Sequence, residues 1–143
     1  MKLFIINLPQ ATERKALMSK QFENLDSKIK EKYEIIFFNA INAQAKEHLD
    51  FKQYSKIKSI LFRGKELSDG ERACFASHYT LWQKCVESNE PIIVLEDDVE
   101  ILPHFWQELE RIEQSEFAYV RLMYLITKAK FYDLQKGFYF TFN

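Results

Sequence analysis

Short apolar runs, separated by segments that favour helices, most constrain the fold of this sequence. Lys2–Leu8 contains a contiguous apolar stretch that includes Phe4, Ile5 and Ile6, Tyr33–Phe38 is rich in isoleucine and phenylalanine, and Ile92–Leu95 has no polar break. Runs of this kind are typical of strands that are buried on both faces of a parallel sheet. Because strands and helices alternate along the chain, the sequence predicts an α/β fold with an open, mostly parallel sheet flanked by helices.

One predicted helix has a clear start signal. Ser68 and Glu71 have the spacing of a capping box, in which each side chain accepts a hydrogen bond from the other residue's backbone N–H. The helix is predicted to end near Ser88 and to present one apolar face, formed by Cys74, Phe75, His78, Leu81, Trp82 and Cys85. The remaining predictions are helices over 11–25 and 103–114, strands over 117–125 and 137–142, and short helices or irregular structure over 39–63.

Composition excludes several classes of function. The chain of 143 residues has three glycines, and their positions fit neither the glycine-rich loop of dinucleotide sites nor a P-loop. The net charge of −1 gives no overall field that attracts nucleic acid or anionic lipid. No apolar run reaches the ~20 residues that span a bilayer, and the amino-terminal run lacks a small-residue cleavage site. We therefore expect a soluble, cytoplasmic protein that binds no nucleic acid.

The carboxyl-terminal end of the sequence suggests a shortened fold. A strongly apolar predicted strand ends directly before Asn143, with no closing helix or polar tail. We therefore expect residues 1–143 to form a single domain that is incomplete at this end. The uncovered strand also favours a homo-oligomer.

The two cysteines lie in the same predicted helix. Eleven residues of helical rise separate Cys74 from Cys85 by ~16 Å, which is too far for a disulfide. Both are expected to be buried as small hydrophobic residues, in a reducing compartment. The sequence has no CxxC motif or Cys/His cluster of the kind that indicates zinc.

Three acidic residues, Glu96, Asp97 and Asp98, follow directly on the predicted strand at 92–95. In open α/β sheets, ligands bind beyond the carboxyl ends of the strands. Three carboxylates placed there repel one another, and a divalent cation such as Mg²⁺ or Mn²⁺ would offset that repulsion and also neutralise a bound diphosphate. The alternative is that these acids are turn residues or cap the next helix.

Arginine and histidine side chains indicate a functional site less clearly than the three acids do. Arg14 lies in the first turn of the first predicted helix, where it could meet a phosphate or a uracil edge or could simply be solvated. His78 lies on an apolar helix face, where a core histidine is the commoner interpretation. His48 and His104 have no informative context, and no Ser/His/Asp or Cys/His arrangement indicates nucleophilic catalysis.

Three blocks of residues, in order, are similar to a known family. They are Phe4-Ile5-Ile6-Asn7-Leu8 with Glu13-Arg14-Lys15, the stretch from Ser68 to His78, and Trp82-Gln83-Lys84-Cys85 followed by Pro91 to Asp98. Together they span residues 1 to about 106 and resemble glycosyltransferase family 25, the lipopolysaccharide and lipooligosaccharide biosynthesis enzymes. The resemblance implies a GT-A-like, Rossmann-like donor half whose acceptor half is absent or truncated.

The resemblance also implies an activity and a set of site residues. It implies metal-dependent, inverting transfer of a hexose, often galactose, from a UDP-sugar to a lipid-linked lipooligosaccharide or lipopolysaccharide acceptor. Such an enzyme would be cytoplasmic or peripheral at the inner membrane. Glu96 and Asp98 would hold Mn²⁺ or Mg²⁺. The donor-binding residues would be Asn7, Leu8, Arg14, Ser77, His78 and Asp97.

Two other functions stay open on the sequence. The chain could be a truncated or degenerate family member that folds without catalysing transfer, because no catalytic base is assignable. It could also be a magnesium-dependent nucleotidyltransferase, which likewise places acids after a strand.

Overall fold

A computed structural model describes residues 1–122 and two short strands beyond them, Phe131–Tyr132 and Tyr139–Phe140. The chain divides into two compact units, Met1–Leu102 and Pro103–Asn143. The first unit contains all the residues that the sequence proposes for the site.

The first unit is built on a three-stranded parallel sheet. Its strands are β1 (Lys2–Asn7), β2 (Glu34–Asn39) and β3 (Ile92–Glu96), in the order β2-β1-β3. The predicted α/β fold with an open parallel sheet is thereby confirmed. Because all three strands run the same way, their carboxyl ends meet at one edge, where Ile6 pairs with Glu96 and Asn7 with Asn39.

Helices connect these strands. They are α1 (Thr12–Glu23), α2 (Ser27–Lys32), a 3-10 turn (Glu47–Asp50), α3 (Lys56–Arg63) and α4 (Asp69–Ser88). The predicted capping box begins α4: the Ser68 hydroxyl accepts a hydrogen bond from the Glu71 N–H, and the Glu71 carboxylate accepts one from the Ser68 N–H. The region at 39–63 forms short helical segments, which was one of its two predicted interpretations.

The core lies on both faces of β1, because successive side chains of a strand point to opposite faces. Phe4 and Ile6 pack with Leu81 of α4 on one face. Leu3 and Ile5, which alternate with them along β1, are fully buried on the other face. The prediction for the buried face of α4 was correct for Leu81 and wrong for Cys74 and Trp82. Its buried residues are Ala73, Ala76, Ser77 and Leu81, whereas Cys74 and Trp82 are exposed. The small side chains at 73, 76 and 77 allow α4 to pack closely against the rest of the first unit. The buried face of α4 therefore contains these residues and leaves Cys74 and Trp82 exposed.

Helix α3 makes polar contacts with its surroundings and exposes its apolar side chains. Ser59 Oγ donates a hydrogen bond to the Lys65 carbonyl oxygen at 2.8 Å, and Arg63 pairs with Glu71 of α4. Its apolar side chains, including those of Leu61 and Phe62, are exposed instead. The helix is therefore held to the rest of the unit by polar contacts and not by a hydrophobic stripe.

The second unit contains α5 (Phe105–Glu113) and the antiparallel strands β4 (Phe131–Tyr132) and β5 (Tyr139–Phe140). The helix predicted over 103–114 is confirmed. The predicted strand over 117–125 is wrong for 117–122, where Phe117 and Tyr119 are exposed and no described strand pairs with them; apolar composition alone does not make a strand without a partner. Residues 123–125 lie outside the described residues.

The strand predicted over 137–142 contains β5, and its other residues lie outside the described part of the chain. The homo-oligomer expected through this strand stays a prediction. None of the helices that the structure describes is long and apolar enough to cross a membrane.

Candidate functional site

The three acids continue from the end of β3 at the carboxyl edge of the sheet. Glu96 is the last residue of β3, and Asp97 and Asp98 follow it in a turn. Asp97 is buried, whereas Glu96 and Asp98 on either side of it are exposed. The middle carboxylate is therefore enclosed by the protein, and its two neighbours face solvent.

Asp97 is held by residues from β1 and α1. Its Oδ2 accepts a hydrogen bond of 2.6 Å from Asn7 Nδ2, and its Oδ1 lies 3.3 Å from Arg14 Nη1. Asn7 Nδ2 also donates to the Ala11 carbonyl oxygen at 3.3 Å. The side chain of Asp97 is 7% exposed and that of Arg14 is 46% exposed. The carboxylate therefore fixes the loop between β1 and α1 and orients the partly exposed guanidinium.

Glu96 faces two residues of α4. Its Oε1 lies 3.2 Å from His78 Nε2, and Cys74 Sγ donates a longer hydrogen bond of 3.9 Å to the same oxygen. Cys74 and Glu96 raise the pKa of His78 to about 9, while partial burial acts in the opposite direction. The hydrogen bond from His78 in turn lowers the pKa of Glu96. At neutral pH this contact is therefore an imidazolium–carboxylate pair.

Two other predicted donor residues make contacts within the protein. Ser77 is buried; its hydroxyl donates to the Ala73 carbonyl oxygen and accepts from the Ile41 N–H, both at 2.9 Å. This pair of bonds fastens the segment after β2 to α4. Leu8 is partly buried, and its carbonyl oxygen accepts a hydrogen bond from the Ala11 N–H. Donor binding by Ser77 and Leu8 stays a prediction.

Glu96 and Asp98 each offer a carboxylate oxygen that no described contact uses. Asp98 is exposed and makes no hydrogen bond or ion pair with any other residue that the structure describes. Both contacts of Glu96 are made through Oε1, so Oε2 takes part in neither. Carboxylate oxygens of this kind are the ligands that Mg²⁺ and Mn²⁺ prefer.

Comparison with known proteins identifies the family. The family model described as glycosyltransferase family 25 (LPS biosynthesis protein) matches residues 1–141. The chain belongs to glycosyltransferase family 25.

Several curated relatives match parts of this family 25 chain. The lipooligosaccharide biosynthesis protein lic2B of Haemophilus influenzae is 34% identical over 116 residues, 78% of this chain and 40% of the relative. A glycosyltransferase 25 family member of Anopheles gambiae is 32% identical over 110 residues, 72% of this chain and 17% of the relative. Procollagen galactosyltransferase 1-A of Xenopus laevis is 27% identical over 112 residues, 78% of this chain and 18% of the relative.

The family 25 chain thus spans between 17% and 40% of the length of these three relatives. No solved structure matches it.

Cys74 is the residue of this edge that sequence reasoning missed. It was expected to be a buried small hydrophobic residue, but it is exposed and lies beside Glu96. The four-residue spacing of Cys74 and His78 places both side chains on one face of α4, and that spacing is a signal readable from the sequence. The absence of a disulfide was predicted correctly, since both cysteines are free.

His48 also has a partner that its sequence context did not indicate. It is buried in the 3-10 turn, and its Nε2 lies 3.1 Å from Asp69 Oδ1 at the start of α4. The two atoms are close without the alignment of a directed hydrogen bond. His48 therefore connects the irregular region to α4, away from the three acids in sequence.

Proposed function

We propose that this chain carries the donor-binding part of a metal-dependent, inverting glycosyltransferase that moves galactose from UDP-galactose to a lipooligosaccharide or lipopolysaccharide acceptor. Membership of family 25 supports the reaction class. The printed names of the Haemophilus and Xenopus relatives support, respectively, the acceptor class and the sugar. The two free cysteines are in keeping with a reducing, cytoplasmic location, peripheral to the inner membrane where lipid-linked acceptors occur.

The observation that carries the proposal is the arrangement of the three acids. Asp97 is turned inward, where it accepts a hydrogen bond from Asn7 and pairs with the charge of Arg14, and Glu96 and Asp98 are exposed. All three acids lie at the carboxyl ends of parallel strands, where ligands bind in open α/β sheets. A structural turn would not require two exposed acids on either side of a buried, ion-paired one.

Each residue has a proposed task. Glu96, through Oε2, and Asp98 hold Mn²⁺ or Mg²⁺, which when bound supplies positive charge for the diphosphate and the departing UDP. Arg14 contacts a phosphate or the uracil, and Asn7 and Asp97 position its guanidinium.

Three further residues complete the donor side. His78 orients Glu96 through the 3.2 Å contact. Ser77 holds the segment at Ile41 against α4. Leu8 begins the turn that connects β1 to α1, because its carbonyl oxygen accepts a hydrogen bond from the Ala11 N–H.

Isothermal titration of UDP, with and without Mn²⁺, tests the proposal. The native chain should bind UDP in a manganese-dependent way, and Asp98→Ala should weaken that binding at least about tenfold because a metal ligand is lost. Glu100→Gln, which removes a nearby exposed acid outside the three, should leave binding unchanged. Equal manganese-dependent binding by Asp98→Ala would contradict the proposal.

A second candidate is a chain that binds the donor but does not transfer sugar. This candidate follows from the sequence, in which no catalytic base is assignable. Incubation with UDP-galactose, Mn²⁺ and lipooligosaccharide, read by mass spectrometry of the acceptor, separates the two. Binding without a mass gain of one hexose supports the second candidate. Release of pyrophosphate from a nucleoside triphosphate would instead indicate a nucleotidyltransferase.

A further inference from the structure

Three side chains with different ligand atoms converge where α4 meets the end of β3. Cys74 and His78 lie one helical turn apart, and Glu96 faces both of them. The thiol sulfur, one imidazole nitrogen and one carboxylate oxygen all lie within 4.8 Å of one another. Among the residues that the structure describes, no other group of three such side chains meets this condition.

The separations are close to those of a tetrahedral zinc site. Zinc–ligand bonds of ~2.0–2.3 Å place neighbouring ligand atoms roughly 3.4–3.6 Å apart. The distance from His78 Nε2 to Glu96 Oε1 is 3.2 Å, and that from Cys74 Sγ to the same oxygen is 3.9 Å. Cys74 and Glu96 are exposed, so their side chains are free to rotate by the small amount that closure requires.

The ligand set selects a different metal from the carboxylate pair. A thiolate and an imidazole suit Zn²⁺, whereas Mg²⁺ and Mn²⁺ favour oxygen ligands. Three protein ligands leave a fourth position for water, as in open zinc sites. A simple ion pair between His78 and Glu96 would not require a thiol on the same face of the helix.

We propose that Cys74, His78 and Glu96 form a Zn²⁺ site with an open fourth position. Glu96 belongs both to this site and to the manganese pair with Asp98, so that zinc and manganese should compete. This competition rests on the proposed function, whereas zinc binding by itself does not. Zinc would then inhibit manganese-dependent UDP binding.

The other cysteine of α4 provides a matched control. Cys85 lies eleven residues further along the same helix, where its thiol donates to the Glu90 carbonyl oxygen at 3.2 Å. No acidic or histidine cluster that the structure describes includes it. Cys85→Ser therefore removes a thiol from the same helix without touching the proposed zinc site.

Zinc alone is titrated into the full chain by calorimetry, and Co²⁺ replaces it as a spectroscopic probe. Removing a group that only hydrogen-bonds to a metal ligand typically weakens metal binding or activity about 10–100-fold. Cys74→Ser and His78→Gln each remove a proposed ligand itself and should therefore weaken zinc binding at least about tenfold. Cys85→Ser should have no effect. The native chain and Cys85→Ser should show the sulfur-to-cobalt charge-transfer band, and Cys74→Ser should not. Loss of the band in Cys85→Ser alone, or its absence from the native chain, would overturn the site.

Two further measurements distinguish failure of the zinc site from misfolding of a variant and from failure of the proposed function. Zinc should protect Cys74, but not Cys85, from iodoacetamide in the native chain, and this readout needs no variant to fold. Equal alkylation of Cys74 with and without zinc would contradict the proposal. Asp98→Ala should keep its zinc affinity while losing manganese-dependent UDP binding, so failure of the zinc site and failure of the proposed function give different results.

Discussion

Asn7 and Asp97 are ninety positions apart in the chain, and a hydrogen bond of 2.6 Å joins their side chains. The bond connects the end of the central strand to the residue just beyond β3. Because both side chains are buried, it is shielded from water and fixes the relative position of two strand ends.

Asn7→Ala should lower the free energy of unfolding by about 1–3 kcal/mol, since it leaves a buried carboxylate without one of its donors. Urea denaturation measures the change. Asn39 occupies the matching position at the end of β2 and is exposed, so Asn39→Ala should stay within about 0.5 kcal/mol of the native chain. Equal losses of unfolding free energy in Asn7→Ala and Asn39→Ala would contradict a stabilising role for the hydrogen bond between Asn7 and Asp97.

Leu81→Ala should cost about 2–5 kcal/mol, because the side chain is 0% exposed and packs with Phe4 and Ile6. Leu61 of α3 is 74% exposed, and Leu61→Ala should cost no more than about 0.5 kcal/mol. Both values come from denaturation under the same conditions. A large loss for Leu61→Ala would mean that α3 packs through its apolar side after all.

Ser68→Ala should destabilise the first unit by about 0.5–2 kcal/mol, because the hydroxyl accepts a hydrogen bond from the otherwise unpaired N–H of Glu71. Ser27→Ala, at the first position of α2, is the comparison, since Asp26 and not Ser27 caps that helix. Thermal or urea unfolding distinguishes them. An unchanged free energy of unfolding in Ser68→Ala would mean that water accepts the hydrogen bond of the Glu71 N–H as well as the Ser68 hydroxyl does.

The pair of His78 and Glu96 should stabilise the fold only within a window of pH. The pKa of His78 is raised from 6.5 to about 9, so its contribution is complete below pH 6.5 and is lost as pH rises through about 9. The pKa of Glu96 is lowered from 4.5, so its contribution is present above pH 4.5 and is lost as pH falls through the lowered value.

The chemical shifts of the His78 ring protons report this titration directly. The midpoint should lie near pH 9 in the native chain and should move toward 6.5 in Glu96→Gln. Glu100→Gln, which leaves Glu96 in place, should not move it. A native midpoint close to 6.5 would mean that the pair does not form in solution.

The sheet and α4 could be predicted because their signals are local. Contiguous apolar residues indicated the three strands of the sheet, although β2 is only partly buried, and Ser68 with Glu71 marked the first turn of α4. Each strand boundary was correct to within one or two residues. The face of α4 that is buried could not be predicted in the same way. Small residues such as Ala73 and Ala76 carry little hydrophobic signal, yet close packing selects them.

The candidate site was predictable as a location but not as a set of contacts. Three acids after an apolar strand indicated the sheet edge. That Asp97 turns inward depends on Asn7, from a strand ninety residues away, and no local pattern reports such a partner. Cys74 was missed because a cysteine among apolar residues is more often buried.

The contacts that Glu96 and Asp97 make at this edge of the sheet join residues that are far apart in the chain. Asn7 meets Asp97 across ninety positions, and Cys74 and His78 meet Glu96 across 22 and 18. Closing long loops costs chain entropy and slows folding. During synthesis, a polypeptide that has not yet added β3 has the central strand and α4 but none of these pairings. These pairings can therefore form only once β3 has been synthesised and lies beside β1.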